Sequence, residues 1–135
     1  VRAFLDTNVL VAAFLTEGAC RRVVAEAIAG RFEAWVSEQV LEELERALRR
    51  GMRVPSSEAA QARILVRSLS RVAPVPPEVA RVCRDSDDDR ILAGAQTVRS
   101  EVLVTGDKDL LALRPIEGIA ILTPADFLRR LGGRA

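Results

Sequence analysis

Apolar positions along this chain follow two rhythms: short continuous runs, and longer stretches in which they recur every three or four residues. Residues 2–6 predict a first strand, with an acid at its end. Thr7 or Asn8 can cap a helix over about 8–15, because their side chains accept from free amides. Glu17-Gly18 breaks it, and Val23, Val24, Ala27 and Ile28 mark a second helix over about 19–29, ended by Gly30. Phe32 to Val36 predicts a second strand, and Ser37 caps a helix over 38–50 that closes at Gly51. Pro55 with Ser56 or Ser57 opens a helix over about 57–70, whose stripe is Ala62, Leu65, Val66 and Leu69. Val72 to Val75 predicts a third strand, followed by a short helix over 77–83.

The second half repeats the alternation. Asp85-Ser86-Asp87 has capping chemistry and leads into a helix over 88–98. Glu101 to Thr105 is a fourth strand, Gly106-Asp107 a turn, and Asp107 to Leu113 a short helix. Pro115 to Gly118 turns into a fifth strand over 119–122, and Thr123-Pro124 starts a last helix over about 124–131. Strands alternating with helices predict an α/β fold with a parallel sheet, right-handed crossovers and helices on both faces. The chain contains no repeat or linker, so a single domain over 1–135 is expected.

Helical geometry sorts the acids. On helix 38–50, with Val40 at zero, Glu43 falls at about −60°, at the edge of the stripe formed by Leu41, Leu44 and Leu48. Glu38, Glu42 and Glu45 fall on the opposite face, which reads as a solvated charged surface. On helix 88–98, with Ile91 at zero, Asp88 lies within the apolar arc at about 60°, whereas Asp89 points away at about 160°. Asp107 repeats the pattern of Asp6, an apolar strand followed here by Thr105-Gly106-Asp107.

Composition narrows the chemistry. The 135 residues include no histidine and no tyrosine, which removes Ser-His-Asp, Cys-His and histidine-assisted catalysis and histidine metal ligands. Cys20 and Cys83 form no CxxC pair and read as buried thiols. No apolar run approaches the roughly 18 residues that span a membrane, and Asp6 interrupts the first apolar run, so no secretory signal is present and a soluble cytoplasmic protein is expected. Formal charge is only +1, yet nineteen of the twenty basic residues are Arg, and Lys108 is the single Lys. Arginine faces around a compact acidic centre suit a phosphate-bearing substrate and a divalent cation. Clustered carboxylates at strand ends repel one another, and a hard cation with oxygen ligands resolves that conflict. Such a site can orient a phosphodiester and activate a water.

With these residues assembled, the chain resembles the PIN-domain family of metal-dependent nucleases, and looks closest to the branch of VapC-related toxin components of toxin–antitoxin systems. The resemblance rests on Phe-Leu-Asp-Thr-Asn at 4–8, Ser-(five residues)-Glu-Leu at 37–44, Asp-Asp-Asp-Arg-Ile-Leu-Ala at 87–93 and Val-Thr-Gly-Asp-Lys-Asp-Leu-Leu at 104–111, in order. It implies a three-layer α/β/α sandwich around a central parallel five-stranded sheet of order 3-2-1-4-5. It implies active-site acids at Asp6, Glu43, Asp88 and Asp107, supported by Asn8, Thr105 and Asp109, and Mg²⁺ or Mn²⁺ as cofactor. Asp6, Asp88 and Asp107 would hold the cation, and Glu43 would hold a second one or orient the water. The implied reaction is hydrolysis of RNA to a 5′-phosphate and a 3′-hydroxyl. Arg49, Arg50, Arg53, Arg84 and Lys108 are candidates for RNA phosphate contacts. A homodimer and a small separate antitoxin are the partners implied.

Two other readings compete. A phosphatase using Asp6 as nucleophile wants a second Asp two residues on, where this chain has Asn8. A catalytically silent RNA- or protein-binding module would keep the acids for a structural metal.

Overall fold

The computed structural model describes residues 1–113 and 115–132. Its five strands form one parallel sheet: β1 (Arg2–Leu5), β2 (Glu33–Ser37), β3 (Arg71–Ala73), β4 (Val102–Val104) and β5 (Ala120–Leu122), in the order β3-β2-β1-β4-β5. The helices are α1 (Thr7–Leu15), α2 (Ala19–Ile28), α3 (Glu38–Arg46), α4 (Ser56–Leu69), α5 (Ser86–Thr97), α6 (Lys108–Leu111) and α7 (Pro124–Gly132). The expected α/β/α sandwich and its strand order are therefore present. The chain runs from β1 outward to β3 with α1 to α4 packed together on one face. The chain then returns through α5 on the other face to β4, and α7 closes the first face against α2.

Burial explains the strands. Ala3, Phe4 and Leu5 of β1 and all of β4 are fully buried, as a sheet covered on both faces requires. Phe32 and Phe127 meet edge to face at 4.9 Å between ring centroids, joining the turn before β2 to α7. At the opposite end of the sheet from the acids, Glu33 pairs with Arg2 and Arg71, one from each neighbouring strand.

Several local expectations change. Asp6, not Thr7 or Asn8, caps α1, accepting from the Thr7 amide at 2.7 Å. The helix expected over 77–83 does not form; the Val82 and Cys83 amides bond to Asp89 of α5 instead of to a local carbonyl. On α4 the buried stripe is Ala59, Ala62 and Val66, while Leu65 turns outward. Helix 38–50 ends at Arg46 and continues as a π-helical turn over Ala47–Gly51. Glu38 and Glu45 are not merely solvated: Arg67 and Arg63 of α4 hold Glu38, and Arg63 also donates to Glu45 at 3.0 Å. The Arg67 hydrogen bonds hold the Glu38 carboxyl below the usual range.

Helix α5 packs closely on β1 at Gly94. A methyl group at Gly94 would sit 2.8 Å from Phe4 Cε2 and 2.9 Å from Cζ, inside van der Waals contact with a fully buried ring. Gly94→Ala gains about 1 kcal/mol of helix propensity but overpacks this contact, so a net loss of about 1–2 kcal/mol is expected. Urea unfolding checks it, and Phe4→Leu in the same chain should restore part of the loss.

Candidate active site

The direction of the chain's progress across the sheet reverses between β1 and β4, and open α/β sheets bind ligands beyond the carboxyl ends of the strands at such a switch point. Asp6 follows β1 there, and Thr105-Gly106-Asp107 follows β4. Thr105 joins the two strand ends. Its Oγ1 donates to Asp6 Oδ2 at 2.7 Å and accepts from the Asp107 amide at 2.9 Å. Both Asp6 oxygens are therefore engaged, which fixes the carboxylate's plane. Asn8 adds a long contact, its Oδ1 accepting from the Gly106 amide at 3.4 Å.

Two helices bring further acids. Asp85 caps α5, which places Asp88 in its first turn, 8% exposed and facing the strand ends. Asp107 caps α6, its Oδ1 accepting from the amides of Asp109 and Leu110. Among the described residues, one carboxylate oxygen from each of Asp88, Asp107 and Asp109 lies within 4.8 Å of the others. Asp109, expected as a supporting residue, thus stands inside the tightest acidic group, whereas Asp6 and Glu43 stand outside it. Asp6, Thr7, Asn8, Asp88 and Asp107 line one open cleft of about 520 Å³, whose apolar wall includes Val11, Leu15 and Met52. Glu43 joins from α3: Thr7 Oγ1 donates to its Oε2 at 3.1 Å and Gln39 Nε2 to its Oε1 at 3.0 Å.

The charges conflict as anticipated. Burial raises the Asp6 carboxyl above its usual range, partly offset by the bonds from Thr105 and the Thr7 amide, with Asp107 and Glu43 adding repulsion. Burial, reinforced by Asp107, Asp6, Asp85 and Asp109, pushes Asp88 up to about 7. The donor set fits a hard divalent cation: carboxylate oxygens, crowded and resisting ionisation, with no imidazole anywhere in the chain. The thiol of Cys83, pushed up to about 12 by burial and by Asp89, remains protonated and is a poor ligand.

Asp89 was expected to point outward and does not. It is 3% exposed, and its Oδ1 accepts from the amides of Val82 at 2.9 Å and Cys83 at 2.6 Å, which hold its carboxyl below the usual range. It ties the segment before α5 to that helix, a tertiary role that a helical wheel does not register. Gln39 was also missed, although its place four residues before Glu43 on one helix is a readable signal. The five candidate RNA-contacting residues, Arg49, Arg50, Arg53, Arg84 and Lys108, are all exposed, and none forms an ion pair among the described residues.

The raised acids make metal-free stability depend on pH. Between the ordinary carboxylate range and about 7, the folded state binds more protons than the unfolded one, so stability falls as pH rises. The lowered acids, Asp89 and Glu38, lose their contribution only at more acidic pH. With EDTA, melting is therefore expected at a higher temperature at about pH 5.5 than at about pH 7.5, and Asp88→Asn should flatten the difference. Mn²⁺ should stabilise more at the higher pH, because binding there displaces fewer protons.

No curated protein sequence matches the chain. The sequence profile of the PIN domain matches residues 2–109, which include all four expected acids and Asp109. With that match over most of its length, on a sheet of order 3-2-1-4-5, the chain belongs to the PIN-domain family, whose members are generally metal-dependent nucleases.

Proposed function

We propose that this protein is an Mg²⁺- or Mn²⁺-dependent endoribonuclease that hydrolyses RNA phosphodiester bonds, and that it serves as the toxin of a toxin–antitoxin pair. The observation that carries the nuclease reading is the convergence of Asp6, Asp88 and Asp107 on one open cleft at the switch point of the sheet, with Asp109 beside Asp88 and Asp107. Asp88, Asp107 and Asp109 would hold the cation together with Asp6. The cation would supply a Lewis acid for the phosphoryl group and a nucleophilic water at neutral pH.

The chain's own groups do the rest. Thr105 and the Thr7 amide orient Asp6 and offset part of the rise that its burial causes. Glu43, anchored through both oxygens, orients the attacking water or accepts its proton from the α3 side. Arg49, Arg50, Arg53, Arg84 and Lys108, in no ion pair among the described residues, position the RNA backbone, and cleavage leaves a 5′-phosphate and a 3′-hydroxyl.

The toxin role draws on the apolar wall of the cleft, where Val11, Leu15 and Met52 offer a small antitoxin a surface beside the acids. The protein acts in the cytoplasm. No helix among the described residues is long and apolar enough to cross a membrane. Homodimerisation draws on α4, which exposes Ile64 at 65% and Leu65 at 41%.

Cleavage of a pool of single-stranded and structured RNA should require Mg²⁺ or Mn²⁺, stop with EDTA, and fall by at least roughly 100-fold in Asp6→Asn. RNA binding with no cleavage under either metal would instead identify a binding module. Light scattering should show a dimer at high micromolar concentration, and Ile64→Glu should shift it to monomer.

A further inference from the structure

Resting on the nuclease reading of Glu43, we propose that Arg90 and Gln39 are positioning residues that form a hydrogen-bonded relay from α5 to the Glu43 carboxylate. Arg90 Nε donates to Gln39 Oε1, and Gln39 Nε2 donates to Glu43 Oε1 at 3.0 Å. Thr7 Oγ1 donates to the other Glu43 oxygen. Arg90 sits two residues after Asp88, so one helix start supplies an acid to the cleft and a cation to the relay.

The relay has only one workable polarity. An amide offers an acceptor at one end and donors at the other, a guanidinium only donates, and an ionised carboxylate only accepts. Turning the Gln39 amide over would face its NH₂ toward Arg90 and its oxygen toward Glu43, breaking both contacts. Arg90 therefore fixes which end of Gln39 faces Glu43. The charged first link also polarises the second, strengthening it in a partly desolvated setting. With one donor on each oxygen, Glu43 is held in plane, and each oxygen keeps lone-pair capacity for the cleft.

Arg90 suits this role better than a direct contact with substrate. It is half-buried, unlike the exposed cations named above, and its Nε–H points at an amide of α3. It makes no ion pair among the described residues, although Glu38 lines the same pocket; Glu38 is held instead by Arg63 and Arg67.

The test combines kinetics with a readout that needs no activity. Cleavage of single-stranded RNA with Mn²⁺ is measured for wild type, Gln39→Ala, Arg90→Ala, Arg90→Lys and Glu43→Gln, and for Gln39→Ala and Arg90→Ala each combined with Glu43→Gln. The Arg90 Nε–H resonance is followed in the ¹⁵N-labelled, metal-free proteins. Gln39→Ala and Arg90→Ala should each lower kcat roughly 10- to 100-fold with little change in KM. Neither should lower it further once Glu43 is Gln. Lys at position 90 should not restore the rate, because an ammonium lacks the planar Nε–H. In the spectra, the wild-type Nε–H should exchange slowly with water and shift in both Gln39→Ala and Glu43→Gln.

An Arg90→Ala effect that lies in KM, persists with Glu43→Gln and is rescued by Lys would assign Arg90 to RNA phosphate and overturn the relay. An Nε–H that exchanges as fast as those of exposed arginines overturns it whatever the activity. If wild type does not cut RNA at all, the nuclease reading fails while the spectra still decide the relay.

Discussion

Thr105 Oγ1 holds two strand ends in register with a single oxygen. It donates to Asp6 across the switch point and accepts from the Asp107 amide on its own side. These bonds offset part of the rise that burial imposes on the Asp6 carboxyl. The sheet order brings β1 beside β4, and at their shared end segments from both halves of the chain meet. Asp88 arrives on the returning crossover, and Asp107 and Asp109 on the turn into α6. The topology thus fixes the positions of the acids, and a few hydrogen bonds fix their orientations.

The same crowding suits the cleft to a cation. Asp88 is opposed by four neighbouring carboxylates and by its own burial, so the acids by themselves are electrostatically frustrated. A bound cation would remove the frustration at its source. The stability sacrificed without metal would then become part of the free energy of metal binding.

Much of this was legible in the sequence. Apolar runs ending in an acid at Asp6 and Asp107, and helical periodicity between them, suffice for the alternating fold. The inward placement of Asp88 and the marginal placement of Glu43 follow from angles on a helix. What escaped was tertiary. Asp89 is buried by a segment that packs on the outer side of α5, and no periodicity within the helix encodes that neighbour. Arg90 reaches Gln39 across 51 positions of sequence. The place of Asp109 in the tightest acidic group depends on the length of the turn after β4, which the residue pattern leaves open. The helix expected over 77–83 failed for the same kind of reason: its last amides bond to the Asp89 side chain and not to a local carbonyl.

The π-helical turn after α3 changes the phase of that helix. Leu41, Leu44 and Leu48 run along its buried side, and an unbroken α-helix would carry the stripe on to Met52, four residues beyond Leu48. Instead the Met52 amide bonds back five residues to the Ala47 carbonyl, and the wider turn swings Met52 out of the core. It ends 55% exposed, on the wall of the cleft that holds Asp6, Asp88 and Asp107. One helix thus serves as scaffold along its first turns and as cleft wall at its last. A single-residue deletion there would rotate Met52 back toward the interior and carry Arg53 around with it. Insertions and deletions in this turn are therefore a route by which related chains can reshape the cleft without touching an acid.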